Sequence, residues 1–266
     1  MSKLSIFFQI LSNSIRNPKM VKDLAEERSQ VQEDEKYKTH EYEYDFDSIE
    51  DFIKTKYPNE NFNEYEEKLQ KLELQVEKFF DKLKTEKYPS KKKPYPISYS
   101  INSDARKFLY FLIRITKPKK IIETGVAYGL STAYILKALE DNGHGTLYSI
   151  DSVFRPWQSK EMIGAIIPKD LKKNWKLVLG KSKEKLRELF DELENVDVFI
   201  HDSLHTYDNM TFEFDIALKQ MKKNGIIISD DVLGNDAFFN VTKGNDLENY
   251  LIKVEEDVGL GIIKKN

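Results

Sequence analysis

The stretch Glu123-Thr124-Gly125-Val126-Ala127-Tyr128-Gly129-Leu130-Ser131-Thr132 decides the fold. Just before it, Lys120-Ile121-Ile122 begins a short apolar run that predicts a strand over Lys120–Thr124. Just after it, Ser131 or Thr132 caps a helix that runs to about Asn142. The glycines let the backbone turn sharply and let a ligand approach it closely. The free N–H groups at the helix start favour an anionic or carboxylate group. The spacing Glu-x-Gly-x-x-x-Gly differs from the dinucleotide pattern Gly-x-Gly-x-x-Gly, which weakens a nicotinamide oxidoreductase reading. The wider turn suits an amino acid joined to a nucleoside better than a pyrophosphate.

Outward from this turn, short apolar runs alternate with amphipathic helices. Further strands are predicted at Thr146–Ile150, Trp175–Leu179, Val196–Ile200, Ile226–Ser229 and Gly261–Lys264. Helices are predicted near Ser131–Asn142, Lys183–Glu194, Asp208–Lys222 and Asp246–Asp257. A further helix precedes the first strand: Asn102-Ser103-Asp104 caps it, Ala105, Phe108, Leu109, Leu112 and Ile115 line one face, and Pro118 ends it. The alternation predicts an α/β, Rossmann-like, doubly wound and mostly parallel sheet in the order 3-2-1-4-5 plus a C-terminal strand, six in all. In such a sheet ligands bind where strands end and helices begin.

Residues 1–94 differ from the rest: they are charged, low in glycine and expected to be mostly helical, forming an extension to a domain spanning 95–266. Asn63–Lys84 is a predicted helix whose apolar face (Tyr65, Leu69, Leu72, Val76, Phe79, Phe80, Leu83) must dock on the body or on a second subunit, so a homo-oligomer through the extension is one expectation. The linker Tyr88–Pro96, with three prolines and a lysine run, forms no regular element. The apolar cluster Leu4, Ile6, Phe7, Phe8, Ile10 and Leu11 is far shorter than the roughly 20 residues that span a bilayer. A cytoplasmic protein without a membrane partner is expected. The absence of cysteine excludes disulfides, thiolate metal sites and a Cys nucleophile. A net charge of −3 argues against a nucleic-acid partner.

Two groups of polar residues fall at the predicted strand ends. The second strand closes on Asp151, about 20 residues after the glycine turn, where an acid can accept hydrogen bonds from both ribose hydroxyls. The fourth ends in His201-Asp202-Ser203-Leu204-His205 and the fifth in Asp230-Asp231. Neighbouring strands 4 and 5 would bring Asp202, Asp230 and Asp231 together. Three converging carboxylates repel unless one is protonated or a cation sits among them, and hard oxygen ligands favour Mg²⁺, Mn²⁺ or Ca²⁺. His205 is the alternative base, since its ordinary pKa lies near neutrality. His201 is expected to be a structural residue of the strand end. Asn235 and Asp236 are candidates for substrate contact, and Arg155-Pro156-Trp157 for lidding the ligand or for packing.

The runs Glu123–Thr132 and Leu147-Tyr148-Ser149-Ile150-Asp151 resemble motifs I and II of class I S-adenosylmethionine (SAM) dependent methyltransferases. The resemblance is to the O-methyltransferase-like branch called type 24, related to catechol, caffeoyl-CoA and macrocin-type enzymes, and it covers about 170 residues, leaving the first 90 or so outside. It implies that Glu123, Gly125 and Gly129, with Ser131 at the helix start, surround the methionine part of SAM, that Asp151 holds the ribose, that Ser182 lies against the adenine, and that Asp202 lies below the transferred methyl group. Related enzymes carry one Asp after strand 4 and an acidic pair after strand 5 that hold a metal. This chain keeps Asp202, Asp230 and Asp231 but has Leu204 where the macrocin-type pattern Asp-Gly-Asp-x-Tyr has its second Asp, so metal-assisted and base-assisted routes through Asp202 and His205 both stay open. The implied function is O-methylation of a small-molecule or saccharide hydroxyl. The alternatives are methylation of RNA or protein, or a non-catalytic SAM-binding or assembly role.

Overall fold

The computed structural model describes residue 10 and residues 18–153, 155–243 and 247–266. Apart from Ile10, the apolar cluster near the N-terminus lies outside the described residues. Seven strands form one sheet: β1 (Lys120–Thr124), β2 (Thr146–Asp151), β3 (Trp175–Leu179), β4 (Val198–His201), β5 (Ile226–Ser229), β6 (Glu248–Glu255) and β7 (Val258–Lys264). Their order is β3-β2-β1-β4-β5-β7-β6. The first five pair in parallel, and β7 closes the sheet antiparallel to both β5 and β6.

Apolar residues on both faces of the inner strands hold the sheet between two helical layers. Ile121 joins the core on one side and its neighbour Ile122 the core on the other. On the first side lie α4 (Ser103–Thr116) and α5 (Leu130–Asn142); on the second lie α6 (Ser182–Leu193) and α7 (Tyr207–Gln220). A short helix, α8 (Ala237–Thr242), follows β5.

The C-terminus corrects two expectations. The sheet has seven strands, not six, and the segment expected to be a helix over Asp246–Asp257 forms β6 where it is described. Leu247, Tyr250, Leu251 and Val254 fit a helical stripe, but β7 offers an unpaired edge two residues further on. The pairing Glu255↔Val258 leaves only Glu256 and Asp257 as a tight hairpin loop. Inter-strand hydrogen bonding overrides the local pattern.

The N-terminal residues wrap this framework. Helices α1 (Pro18–Glu33), α2 (Ile49–Lys56) and α3 (Phe62–Thr85) come first in the chain. The apolar face of α3 packs on its own chain: Leu69, Leu72 and Val76 are buried in the same core as Phe108 and Leu112 of α4, together with Phe52 and Ile53 of α2. The acidic, Tyr-rich stretch between α1 and α2 lies along the outer edge of β6. There Phe46 bridges Ile252 in parallel, Lys253 N–H donates to the Phe46 carbonyl at 3.0 Å, and the Asp45 carboxylate accepts from Leu251 N–H at 2.7 Å. An edge that would otherwise invite pairing with another chain is thereby covered.

Because Ile53 is wholly buried, Ile53→Ala should lower unfolding free energy by about 2–4 kcal/mol in urea titration. Leu74→Ala, on the 56% exposed face of α3, should change it by less than about 0.5 kcal/mol.

Candidate active site

The site is built around the turn from β1 into α5. Gly125 and Gly129 have φ of 83° and 86°, a left-handed conformation that other residues adopt only with strain. At Gly125 space is also decisive: a Cβ would stand 1.8 Å from the carbonyl oxygen of Asp202. The turn therefore rests on the end of β4. Asp202 N–H donates to the Thr124 carbonyl at 2.9 Å, and Gly125 N–H to the Ile150 carbonyl at 3.0 Å. Asp151 fastens the other flank: its Oδ2 accepts from Val126 N–H at 3.0 Å and Ala127 N–H at 2.8 Å, and its Oδ1 from Ser152 N–H. Three of roughly four acceptor positions on this carboxylate are thus engaged by backbone. The chain's own hydrogen bonds thus shape the turn.

Glu123 lies beneath the turn with no exposure at all. It accepts from Ser131 Oγ at 2.7 Å, Thr132 Oγ1 at 2.8 Å and Ser149 Oγ at 2.7 Å. Burial pushes its pKa up to about 7, against the three hydroxyl bonds, and the nearby Asp151 charge adds to the rise. Glu123 and Ser131 face each other inside the protein, and the bonds of Glu123 fasten α5 and β2 to β1.

At the ends of β4 and β5 the structure brings together Asp202, His205 and Asp230, with ligand-type atoms all within 4.8 Å of one another. Asp231 is not the third member of this group. It takes a left-handed conformation (φ 49°) at the start of the next turn, and the charge acting on it is that of Lys38. Asp202 is 17% exposed and His205 27%, with His205 Nε2 3.9 Å from Asp202 Oδ1. Burial, then Asp230, then the charges of Glu123, Asp151 and Asp231 drive the Asp202 carboxyl well above the usual range. Burial and the adjacent Asp231 raise Asp230 to about 6. Burial and His201 push His205 down to about 3, against the pull of Glu213. Burial is the first cause of all three shifts, and repulsion from neighbouring carboxylates adds to it at Asp202 and Asp230.

Sequence reasoning missed Glu213. This carboxylate on α7 is fully buried and accepts from Thr124 Oγ1 at 2.6 Å, Ser203 Oγ at 2.9 Å and Asn209 Nδ2 at 3.1 Å. It also meets His201 Nδ1 at 2.6 Å. Burial opposes its charge, but His201 and these bonds hold its pKa below the ordinary Glu range. Glu213 thus locks the ends of β1 and β4 and the loop carrying Asp202 and His205. The available signal was a lone acid on the otherwise apolar stripe Met210, Phe214 and Ala217.

The N-terminal segment crosses above these strand ends. Asp23 and Glu26 of α1 pair with Lys181 after β3 at 2.7 and 3.1 Å, and Glu27 pairs with Arg155 after β2 at 2.8 Å. Gln30 accepts from Thr206 Oγ1 at 2.7 Å, Asp34 accepts from Tyr207 N–H at 2.9 Å, and Tyr37 stacks on Tyr207 at 3.9 Å. Asp236 accepts from Thr39 N–H, Thr39 Oγ1 and His40 N–H, and the Asn235 carbonyl accepts from Tyr42 Oη. Asn235 and Asp236, expected at the substrate, instead anchor this strap. Trp157 packs, buried, with its Nε1–H on the Pro94 carbonyl at 3.1 Å. Ser182 Oγ donates to Asn209 Oδ1 at 3.2 Å, which ties the start of α6 to the same network.

Residues 122–232 match the family model described as "Methyltransferase domain". This segment carries a methyltransferase domain. No curated protein sequence matches it. Among solved structures, this methyltransferase is similar to an O-methyltransferase from Bacillus cereus in complex with SAH, at 16% identity, over 83% of this chain and 98% of that one, with a TM-score of 0.55. It is also similar to an O-methyltransferase from Streptomyces achromogenes involved in tomaymycin synthesis, in complex with SAM (16% identity, 83% and 97% coverage, TM-score 0.54). A third is an SAH-bound methyltransferase from Podospora anserina (19%, 66% and 84%, 0.52). At these identities the likeness is one of fold. No helix among the described residues is long and apolar enough to cross a membrane.

The buried Glu123 makes the methyltransferase sensitive to pH. Its folded pKa of about 7 lies above the ordinary 4.5, so the folded state holds the proton more tightly than the unfolded chain. Stability is therefore full below about pH 4.5 for this group and falls as pH rises through 7, by about 3 kcal/mol in total. Denaturant titrations at pH 5 and pH 8 should show a smaller loss in Glu123→Gln than in the wild type.

Proposed function

We propose that this methyltransferase domain moves the methyl group of SAM to a hydroxyl of a small molecule or saccharide. The observation that carries the reading is the gathering of Asp151, Asp202 and Asp230 at the carboxyl ends of β2, β4 and β5, around the glycine turn, in a segment that matches a methyltransferase family. A sulfonium nucleoside bearing an ammonium group is cationic on the side that would face these acids, and it would relieve the repulsion that raises their pKa values. In this reading Gly125 and Gly129 give the methionine part close access to the backbone, Asp151 uses its remaining acceptor capacity on the ribose, and Ser182 lies toward the adenine. Asp202 stands nearest the reacting methyl.

In-line transfer then forms a carbon–oxygen bond as the carbon–sulfur bond breaks, with the electron pair returning to sulfur to give S-adenosylhomocysteine (SAH). The acceptor's proton passes to Asp202 or His205. Asp202, with its raised pKa, is the stronger base of the two, while the depressed imidazole stays neutral and can orient the hydroxyl. The enzyme's main contribution is alignment of donor and acceptor. Asp202, Asp230 and the buried Nε2 of His205, which has no hydrogen-bond partner among the described residues, also form a donor set that fits a divalent cation. A bound ion would supply charge to lower the pKa of the acceptor hydroxyl. The mixed oxygen and nitrogen donors suit Mn²⁺ better than Ca²⁺.

A small acceptor is supported by the strap, which narrows access to the strand ends, and by the net charge of −3, which gives RNA no general attraction.

Isothermal calorimetry with SAH tests the cofactor reading. Asp151→Asn should weaken binding about ten-fold or more, and equal affinity would remove the ribose assignment. Activity against a panel of catechols and sugars, followed by SAH release, separates the two proton routes. Retention of activity in EDTA assigns the proton to side chains alone, whereas loss restored by Mn²⁺ or Mg²⁺ assigns an ion to Asp202, His205 and Asp230.

A further inference from the structure

The imidazole of His205 stands 3.9 Å from Asp202 Oδ1 and edge to face with His201, 5.2 Å between ring centres. Its Nε2 is buried with no hydrogen-bond partner among the described residues. The place of this ring therefore depends on the backbone that carries it, the loop between β4 and α7.

That loop is gripped by residues far away in the chain. The side-chain amide of Asn235, 1% exposed, donates to the His205 carbonyl at 3.3 Å. Thr206, the next residue, is the N-cap of α7 and has extended backbone, but its side chain makes no capping bond. Its hydroxyl donates instead to Gln30 of α1 at 2.7 Å. The first N–H groups of a helix have no partner within it, and a side-chain oxygen at the cap ordinarily takes one of them. Asp34 does so here from 173 positions away: its Oδ1 accepts from the N–H of Tyr207, the first residue of α7, at 2.9 Å. A carboxylate also suits the positive end of the helix dipole. The other oxygen of Asp34 lies 3.5 Å from Asn235 Nδ2, the same amide that holds the His205 carbonyl. Tyr37 adds a ring stacked on Tyr207, 3.9 Å away and 5° from parallel. The backbone of His205 is thus fixed on one side from the loop after β5 and on the other from the strap.

We propose that Asp34 is a positioning residue for His205: by capping α7 in place of Thr206 it fixes the turn on which the imidazole stands. The inference rests on the role given to His205 above. It assigns the strap a part in the reaction beyond covering the strand ends, from a residue outside the segment that matches the family model. It also explains why the cap of α7 is supplied by a distant carboxylate while a threonine stands at the cap position with its hydroxyl turned away.

The test compares Asp34→Leu, which removes the acceptor, with Asp34→Asn, which keeps an oxygen in its place; asparagine caps helices about as well as aspartate. The full chain, labelled with ¹³C at histidine Cε1, gives ring signals for its 4 histidines, and His205→Gln assigns the one sought. In Asp34→Leu the His205 signal should move or broaden while that of His144, in the turn between α5 and β2, stays in place. In Asp34→Asn both should keep their wild-type positions. With an acceptor found in the panel above, kcat of Asp34→Leu should fall about ten-fold or more, because small misplacements of a reacting group are costly, while the KM for SAM changes less than about two-fold. Asp34→Asn should restore kcat to within about two-fold. If Asp34→Leu does not fold, Gln30→Met, which frees the Thr206 hydroxyl, takes its place with the same expected displacement of the His205 signal. An unmoved His205 signal overturns the proposal, even beside a lowered melting temperature, since Asp34 would then serve stability alone. Equal losses in Asp34→Leu and Asp34→Asn also overturn it, by assigning the effect to charge and not to capping. Failure of the wild type to bind SAH or to turn over any acceptor would overturn the methyl-transfer reading instead, and the ring signals would still decide whether Asp34 places the imidazole.

Discussion

The geometry of the site depends on carboxylates sealed from water. A buried carboxylate must find donors inside the protein, and where it finds them it dictates distances. Glu123 reaches Ser131, Thr132 and Ser149 and so draws the start of α5 and the middle of β2 toward β1. Glu213 does the same one layer away, joining Thr124 to His201, Ser203 and Asn209. Thr124 lies directly after Glu123, so the two networks share a strand end. Between them they leave the backbone from Gly125 to Gly129 little freedom, and the contact of Gly125 with the Asp202 carbonyl follows from that compression.

The site then divides into an inner shell that is neutralised by hydrogen bonds and an outer one that is not. Asp202 and Asp230 lie above the sealed layer, close enough to repel and too enclosed for water to screen them fully. Such crowding holds the proton on these carboxyls more tightly than water would.

The central fold was legible because its signals are local. Ile121-Ile122, Val198-Phe199-Ile200 and Ile226-Ile227-Ile228 read as strands buried on both faces, and the glycine turn fixed where helix follows strand. What was illegible depends on partners distant in the chain. The stripe Leu247, Tyr250, Leu251 and Val254 carries helical spacing, and only the adjacent β7 makes it a strand. Asp230 and Asp231 are equivalent as letters, yet it is Asp230 that gathers with Asp202 and His205, while Asp231 starts the next turn in a left-handed conformation. Glu213 gave a faint sign, as one acid on an apolar stripe. Asn235 and Asp236 looked available because nothing near them in sequence could use them. Their partners, Tyr37 to Tyr42, stand almost two hundred positions earlier.

That separation bears on how the molecule assembles. The strap closes contacts between residues 173 and 206 positions apart, among the most distant links in the chain. Its docking surface includes the loop after β5 and the edge of β6, both remote from it in the chain. The strap cannot dock until those distant elements are in place, and contacts of such long range are slow to close. Covering of the strand ends is therefore a late step of assembly.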